Sequence, residues 1–273
     1  MEFKAFKMDG LGNDFIIIDQ RSKVINLSKE QIIKICDRKF IGCDQLIYIK
    51  KKEIDVGLEF YNSDGSQSGA CGNGTRCVAY LLSKETKKKE ITIWTSSGNL
   101  KSKIFDNKVV ETEIGVPKFN WSEIPLKYDL DTKNLNIKLI SKDNKEHYGG
   151  IAVNVGNPHV VFFVDNLDNY NLEEIGPQIE NNDLFPQRCN VTLAKKVSKN
   201  LVKVKVWERG AGLTKACGTA ACATAVASNL EKLKYSKTEI QFSLGKLIIN
   251  IDDKNRIHMK GPVSDVKEIN IKI

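Results

Sequence analysis

Histidine is scarce in this chain, three in 273 residues, and none of the three shares a ligand-like spacing with the seven cysteines. No Cys-x-x-Cys pair occurs, so the sequence predicts no bound metal. A Walker-type glycine-rich loop is missing, which removes the usual means of holding a nucleotide phosphate. No apolar run approaches the ~18 residues that cross a bilayer. The opening Met1-Glu2-Phe3-Lys4-Ala5-Phe6-Lys7 has no apolar core of a secretory signal, so cytoplasmic residence is the expectation. An odd number of cysteines without a closely spaced framework fits a reducing compartment better than a disulfide scaffold. Aromatics are few, 8% of residues, and they do not interleave with lysine runs such as Lys50-Lys51-Lys52 and Lys87-Lys88-Lys89. The net charge of +8 therefore reads as a solvated surface that helps to draw in an anionic ligand, and no nucleic-acid partner is expected. With 41% hydrophobic and 28% charged residues, the chain is globular rather than disordered.

What the chain does have, it has twice. Ala70-Cys71-Gly72-Asn73-Gly74-Thr75-Arg76-Cys77 is answered by Ala216-Cys217-Gly218-Thr219-Ala220-Ala221-Cys222, with Cys217 lying 146 residues after Cys71. Asn62 and Glu208 each stand nine residues before their cysteine, and each follows an aromatic, Tyr61 or Trp207. Cys43 and Cys189 correspond at the same offset. Ser96-Ser97-Gly98-Asn99-Leu100 answers Phe242-Ser243-Leu244-Gly245-Lys246-Leu247, with Gly98 and Gly245 147 apart, and Gly12-Asn13 answers Gly156-Asn157 at 144. Solenoid units run about 20–50 residues, so a period this long means two tandem domains of one fold. The length suits two domains with a core each. Matching loops would then face each other across a cleft.

The periodicity predicts strands over Glu2–Lys7, Phe15–Asp19, Gln45–Lys50, Val56–Tyr61, Glu90–Thr95, Leu100–Phe105 and Val109–Ile114, with a similar set between Ile151 and Ile273. Ser28-Lys29-Glu30-Gln31 carries a capping-box pattern for a helix through Cys36. Short helices follow both cysteines, about Asn73–Ser83 and Thr219–Leu230, rich in small and apolar residues and so buried. Many short strands and few helices indicate an α+β fold, mostly antiparallel or mixed sheet wrapped on a helix. Gly115-Val116-Pro117-Lys118-Phe119-Asn120 breaks the pattern as a linker. The expected domains are residues 1–117, completed by the C-terminal strand 264–273, and residues 118–263.

A cysteine at a helix start sits among unpaired N–H groups at the positive end of the helix dipole, which favours the thiolate. Two such thiols suit removal of a proton from an amino-acid α-carbon by one and delivery of a proton to the opposite face by the other. The amides of Gly72, Asn73, Gly218 and Thr219 would grip the α-carboxylate and stabilise the carbanion. Cys36, Cys43, Cys77, Cys189 and Cys222 read instead as small buried hydrophobes, and His159 as a residue that orders its loop or borders the pocket rather than a base.

Lys7-Met8-Asp9-Gly10-Leu11-Gly12-Asn13-Asp14-Phe15, Gly42-Cys43-Asp44-Gln45, Asn62-Ser63-Asp64-Gly65-Ser66, the two cysteine motifs, Gly156-Asn157-Pro158-His159, Arg188-Cys189-Asn190 and Trp207-Glu208-Arg209-Gly210-Ala211-Gly212 together resemble the diaminopimelate epimerase family over essentially the whole chain. The resemblance implies two pseudo-symmetric domains, each a β-barrel around a central helix. It implies interconversion of L,L- and meso-2,6-diaminopimelate without pyridoxal phosphate or other cofactor, for lysine and peptidoglycan synthesis. It implies Cys71 and Cys217 as the acid/base pair, a pocket lined by Asn13, Gln45, Asn62, Asn157, Asn190, Glu208 and Arg209, and a homodimer. The pocket makes chemical sense: Arg209 can fork onto the carboxylate at the far end of the substrate and Glu208 can take its ammonium. A proline or hydroxyproline racemase would keep the thiols without needing that charged grip. A dithiol redox or binding protein would instead close the cysteines into a disulfide. Two positions depart from the family pattern, Asp9 in place of a usual histidine and Ala220 in place of a common glycine.

Overall fold

The computed structural model describes residues 1–273 apart from Ile54, Ala70 and Ser97, so Ala70 and Ser97 of the repeated motifs lie outside the described residues. The chain divides into two compact units, Met1–Glu113 with Lys260–Ile273, and Ile114–Met259.

The first unit contains β1 (Glu2–Gly10), β2 (Asn13–Asp19), α1 (Lys29–Cys36), β3 (Gln45–Lys50), β4 (Val56–Asn62), β5 (Gln67–Ser68), α2 (Gly72–Thr86), β6 (Glu90–Thr95), β7 (Gly98–Phe105) and the start of β8 (Val109–Gly115). The hairpin β1–β2 turns on Leu11 and Gly12, both with positive φ (62° and 83°), the conformation of a tight two-residue turn. Asp9 accepts the Gly12 N–H at 3.0 Å, so the carboxylate at this unusual position secures the turn. β2 pairs parallel with β3, β3 antiparallel with β4, β4 parallel with β6, and β6 antiparallel with β7. Phe15–Ile18 are buried on both faces because a helix covers each side. Ile16 and Ile18 pack with Ile32 and Ile35 of α1, while Phe15 and Ile17 pack with Cys77 and Val78 of α2. Ser28 and Gln31 close a reciprocal capping box at the start of α1. The C-terminal strand Lys267–Lys272 pairs antiparallel along β1 from Glu2↔Lys272 to Lys7↔Lys267.

The second unit contains β9 (Ile137–Ile140), β10 (Glu146–Gly149), β11 (Ile151–Asn154), β12 (Pro158–Phe163), α3 (Leu172–Glu180), β13 (Asn190–Ser198), β14 (Leu201–Glu208), β15 (Gly212–Thr214), α4 (Gly218–Ser228), β16 (Lys237–Phe242), β17 (Gly245–Ile251) and most of β18 (Ile257–Pro262); the C-terminal strand is β19. Its pairings repeat those of the first unit: β11–β12 antiparallel, β12–β13 parallel, β13–β14 antiparallel, β14–β16 parallel, β16–β17 antiparallel. The mixed sheet, the few helices and the internal duplication are those of an α+β fold. α4 is apolar on every face and buried almost throughout, with strands from β11 to β17 packed on it. It stops at Ser228, two residues short of the predicted Leu230, because the Asn229 side chain caps the Ala225 carbonyl at 2.7 Å. α2 runs three residues past Ser83 and ends where Lys87 turns left-handed (φ 62°). Near the predicted linker, β8 runs through Gly115, and Lys118 bridges to Asn154.

Candidate active site

In the first unit, Cys71 is the N-cap of α2, with extended backbone and a half-buried side chain. Its Sγ accepts the Gly74 N–H at 3.4 Å, and its carbonyl accepts Thr75 N and Oγ1, both at 2.8 Å. Helix geometry gives the preceding amides, Gly72 and Asn73, no intrahelical acceptor. Gly74 permits this close approach: a Cβ there would stand 2.7 Å from Ile47 Cδ1 and 3.1 Å from the Phe60 ring.

Strand register brings the first polar set to the same end of the sheet. Gln45 lies opposite Phe15 at the start of the parallel pair and opposite Asn62 across the antiparallel pair. Gln45 Nε2 donates to Asn62 Oδ1 at 2.8 Å, and Asn62 Nδ2 donates to Ser66 Oγ at 3.0 Å. Asn13 stands 3.9 Å from Cys71 Sγ through Oδ1, which also accepts Asn73 Nδ2 at 3.3 Å. Two residues missed by sequence reasoning orient these amides. Asp44 accepts Asn13 Nδ2 at 2.9 Å and is itself held by Arg38 at 2.6 Å. Arg76, fully buried, donates to Asn73 Oδ1 at 2.8 Å and to the Pro262 carbonyl at 3.2 Å. Both lie inside quoted motifs, and an arginine in an apolar helix was the available signal.

In the second unit, Cys217 is the N-cap of α4 and its Sγ accepts the Ala220 N–H at 3.4 Å, with Thr219 Oγ1 also at 3.4 Å. The Ala220 N–H thus donates to its cysteine as the Gly74 N–H does in the first copy. Here an expectation is corrected. Burial pushes the Cys217 thiol well above the usual thiol range, and the facing Glu208 carboxylate pushes it further; the Thr219 and Ala220 donors oppose them without prevailing. A helix end favours a thiolate only where water or a cation completes its solvation, and Cys217 is 5% exposed beside an anion.

Asn157 Oδ1 pairs with His159 Nε2 at 2.8 Å. His159 is fully buried, and burial together with the Arg209 charge lowers its pKa to about 3, so the imidazole is neutral and orders its loop. The Asn190 amide is committed at both ends, Nδ2 to the Pro158 carbonyl at 2.9 Å and Oδ1 to the Arg209 N–H at 3.0 Å, leaving one amide hydrogen and one lone pair. Arg209 is exposed and gives Nη1 to the Gln187 carbonyl at 2.8 Å, which leaves the rest of its fork available. Cys36, Cys43, Cys77, Cys189 and Cys222 are all buried, in keeping with a packing role.

The family model for diaminopimelate epimerase matches residues 5–120 and 151–266. The chain belongs to the diaminopimelate epimerase family. It is 69% identical, over the full length of both chains, to the diaminopimelate epimerase of Pelagibacter ubique (strain HTCC1062), and 40% identical to that of Acidiphilium cryptum (strain JF-5) over 96% of this chain and 94% of the relative. Membership of the diaminopimelate epimerase family makes it an isomerase of lysine biosynthesis. The fold extends further. A Bacillus anthracis protein of the PhzF phenazine-biosynthesis family superposes with a TM-score of 0.70 at 16% identity, covering all of both chains. A hydroxyproline epimerase from Agrobacterium vitis does so with a TM-score of 0.65 at 10% identity, over 99% of this chain and 92% of that one. At those identities the likeness is one of fold. No helix among the described residues is long and apolar enough to cross a membrane.

Proposed function

We propose that this chain epimerises L,L-2,6-diaminopimelate to the meso form by proton transfer at one α-carbon between Cys71 and Cys217. The observation that carries the reading is the matched pair of thiols, each the N-cap of a helix within its own repeat of the fold, each accepting the third amide of that helix at 3.4 Å. One thiol must be protonated at rest and the other not. Cys217, buried against Glu208, takes the proton-donor role, and the base of the first half-reaction is then Cys71. The first amides of α2 and α4 bind the α-carboxylate and the charge that builds beside it, so the reaction calls for no pyridoxal phosphate. Asn13, Gln45, Asn62, Asn157, Asn190, Glu208 and Arg209 bind the rest of the substrate, Arg209 pairing with the far carboxylate and Glu208 with an ammonium. In this reading the enzyme is a cytoplasmic homodimer with a small-molecule substrate and no nucleic-acid partner.

The test is deuterium incorporation from solvent into L,L-diaminopimelate by reduced protein without added pyridoxal phosphate. Label should enter at the α-carbon; its absence would sink the proposal. Cys71→Ala and Cys217→Ala should each abolish epimerisation while keeping the wild-type circular dichroism. Full turnover by either variant would refute the two-base pair.

A further inference from the structure

Glu180, the last residue of α3, is a charged side chain only 5% exposed, and nothing in the motifs or in the reaction accounts for it. An ionised carboxylate taken out of water needs donors on both oxygens. Oε2 accepts the Trp207 indole N–H at 2.7 Å. Oε1 accepts the Gly210 backbone N–H at 2.9 Å and Arg188 Nη1 at 3.4 Å. Trp207 and Gly210 are the residues on either side of Glu208-Arg209. From these contacts we infer that Glu180 is a positioning residue for substrate recognition: it holds both ends of the Glu208-Arg209 segment and so aims the Arg209 guanidinium. The inference rests on the reading of Arg209 as the residue that pairs with the far carboxylate.

The surrounding geometry favours a clamp over generic packing. Glu208 and Gly212 pair across β14 and β15, so Arg209, Gly210 and Ala211 form the hairpin turn, closed by the Ala211 N–H on the Glu208 carbonyl at 3.0 Å. A hairpin tip fixed only by its own turn would leave a long side chain such as Arg209 without a set origin. Here the Arg209 N–H is held by Asn190, its Nη1 by Gln187 and the next amide by Glu180. The Trp207 ring is wedged against α3, where a Cβ on Gly176 would stand 2.6 Å from two of its ring atoms, and a Cβ on Gly212 would meet it at 3.5 Å. That wedge puts the indole N–H onto Glu180. The carboxylate converts the position of α3 into the position of Arg209.

Glu180→Gln keeps the volume but swaps one acceptor for a donor that must face either the indole N–H or the Gly210 N–H. An interaction with the end of the substrate that does not react is the same in ground and transition states, so its loss raises KM and spares kcat. With L,L-diaminopimelate the variant should show KM raised about tenfold and kcat within about twofold. Trp207→Phe, which keeps a ring and removes the N–H, should move KM the same way. Two readouts do not depend on turnover, and whichever N–H the new donor faces loses its acceptor in Glu180→Gln: either hydrogen exchange at the Gly210 amide quickens at least about tenfold while β13 amides keep their rates, or the Trp207 indole proton resonance shifts as its hydrogen bond is lost. Unchanged exchange at Gly210 together with an unmoved Trp207 indole resonance would overturn the clamp. Either change with an unchanged KM, or with kcat and KM degraded together with thermal stability, would overturn its part in recognition. Should wild-type protein fail to turn over diaminopimelate, the functional reading falls, while these two readouts still decide the clamp.

Discussion

His159 shows how one buried side chain ties this enzyme's stability to pH. Its folded pKa, about 3, lies below the ordinary value of 6.5, so between those values the unfolded chain binds a proton that the folded chain does not. Stability from this residue is therefore complete above pH ~6.5 and falls below it with a slope that approaches about 1.4 kcal/mol per pH unit. Asp14 and Asp19, in which burial is outweighed by arginine partners that lower the values from 3.8, add their losses only in stronger acid. Urea unfolding at pH 7.5, 6 and 5 should show that slope in the wild type and a flatter one in His159→Gln; equal slopes would contradict the assignment. The two N-cap cysteines are legible at this scale, because a thiol between a Gly-rich turn and an Ala-rich run repeats across the chain. Glu180 is not, since its donors come from Trp207 and Gly210, distant in sequence and joined to it only by packing. The protonation of Cys217 is hidden for the same reason: sequence shows the helix end but not the depth of burial or the carboxylate that faces it.

Elements with a strict period are legible almost to the residue. β3 and β6 run over the predicted residues, and the capping box at Ser28 is closed as its spacing demands. α3 escapes a sequence reading, because Gly176-Pro177 looks like a break even though Leu172, Ile175, Gly176 and Ile179 fall on one helical face. Its glycine is required by contact rather than by dihedral freedom. Gly176→Ala would drive a methyl group into the Trp207 ring, and the Trp207 Cβ, 3.0 Å from that methyl position, leaves the ring little room to move. Overpacking of this kind costs about 1–3 kcal/mol, so the urea midpoint should fall while the m-value stays the same. A midpoint within error of wild type would mean that α3 can shift freely against β14.

For the molecule as a whole, the duplication is legible because Cys71 and Cys217, and the polar residues around them, keep nearly one offset, and the last strand is legible as a segment beyond the second copy that completes the first domain; its register on β1 rests on a pairing that no repeat encodes. β19 lies along Glu2–Lys7 of β1 and puts Ile271, wholly buried, into the α1-side core with Phe3 and Ala5. Truncation before Lys267 removes the β19 partner of β1, leaves its pairing with β2, and strips that core of Ile271 and of the partly buried Ile269 and Ile273. Loss of a buried isoleucine alone costs about 2–5 kcal/mol, a large share of the 5–15 kcal/mol that a domain of this size commonly has. The register given for β19 runs along β1, within the first unit, and not along a strand of residues 114–259. Hydrogen exchange should therefore show amides of β1, β2 and β3 losing protection in the truncated chain while those of β12, β13 and α4 keep theirs. Equal loss in both sets would mean that the two repeats unfold as one cooperative body, and the strand would then support the whole chain rather than the first unit.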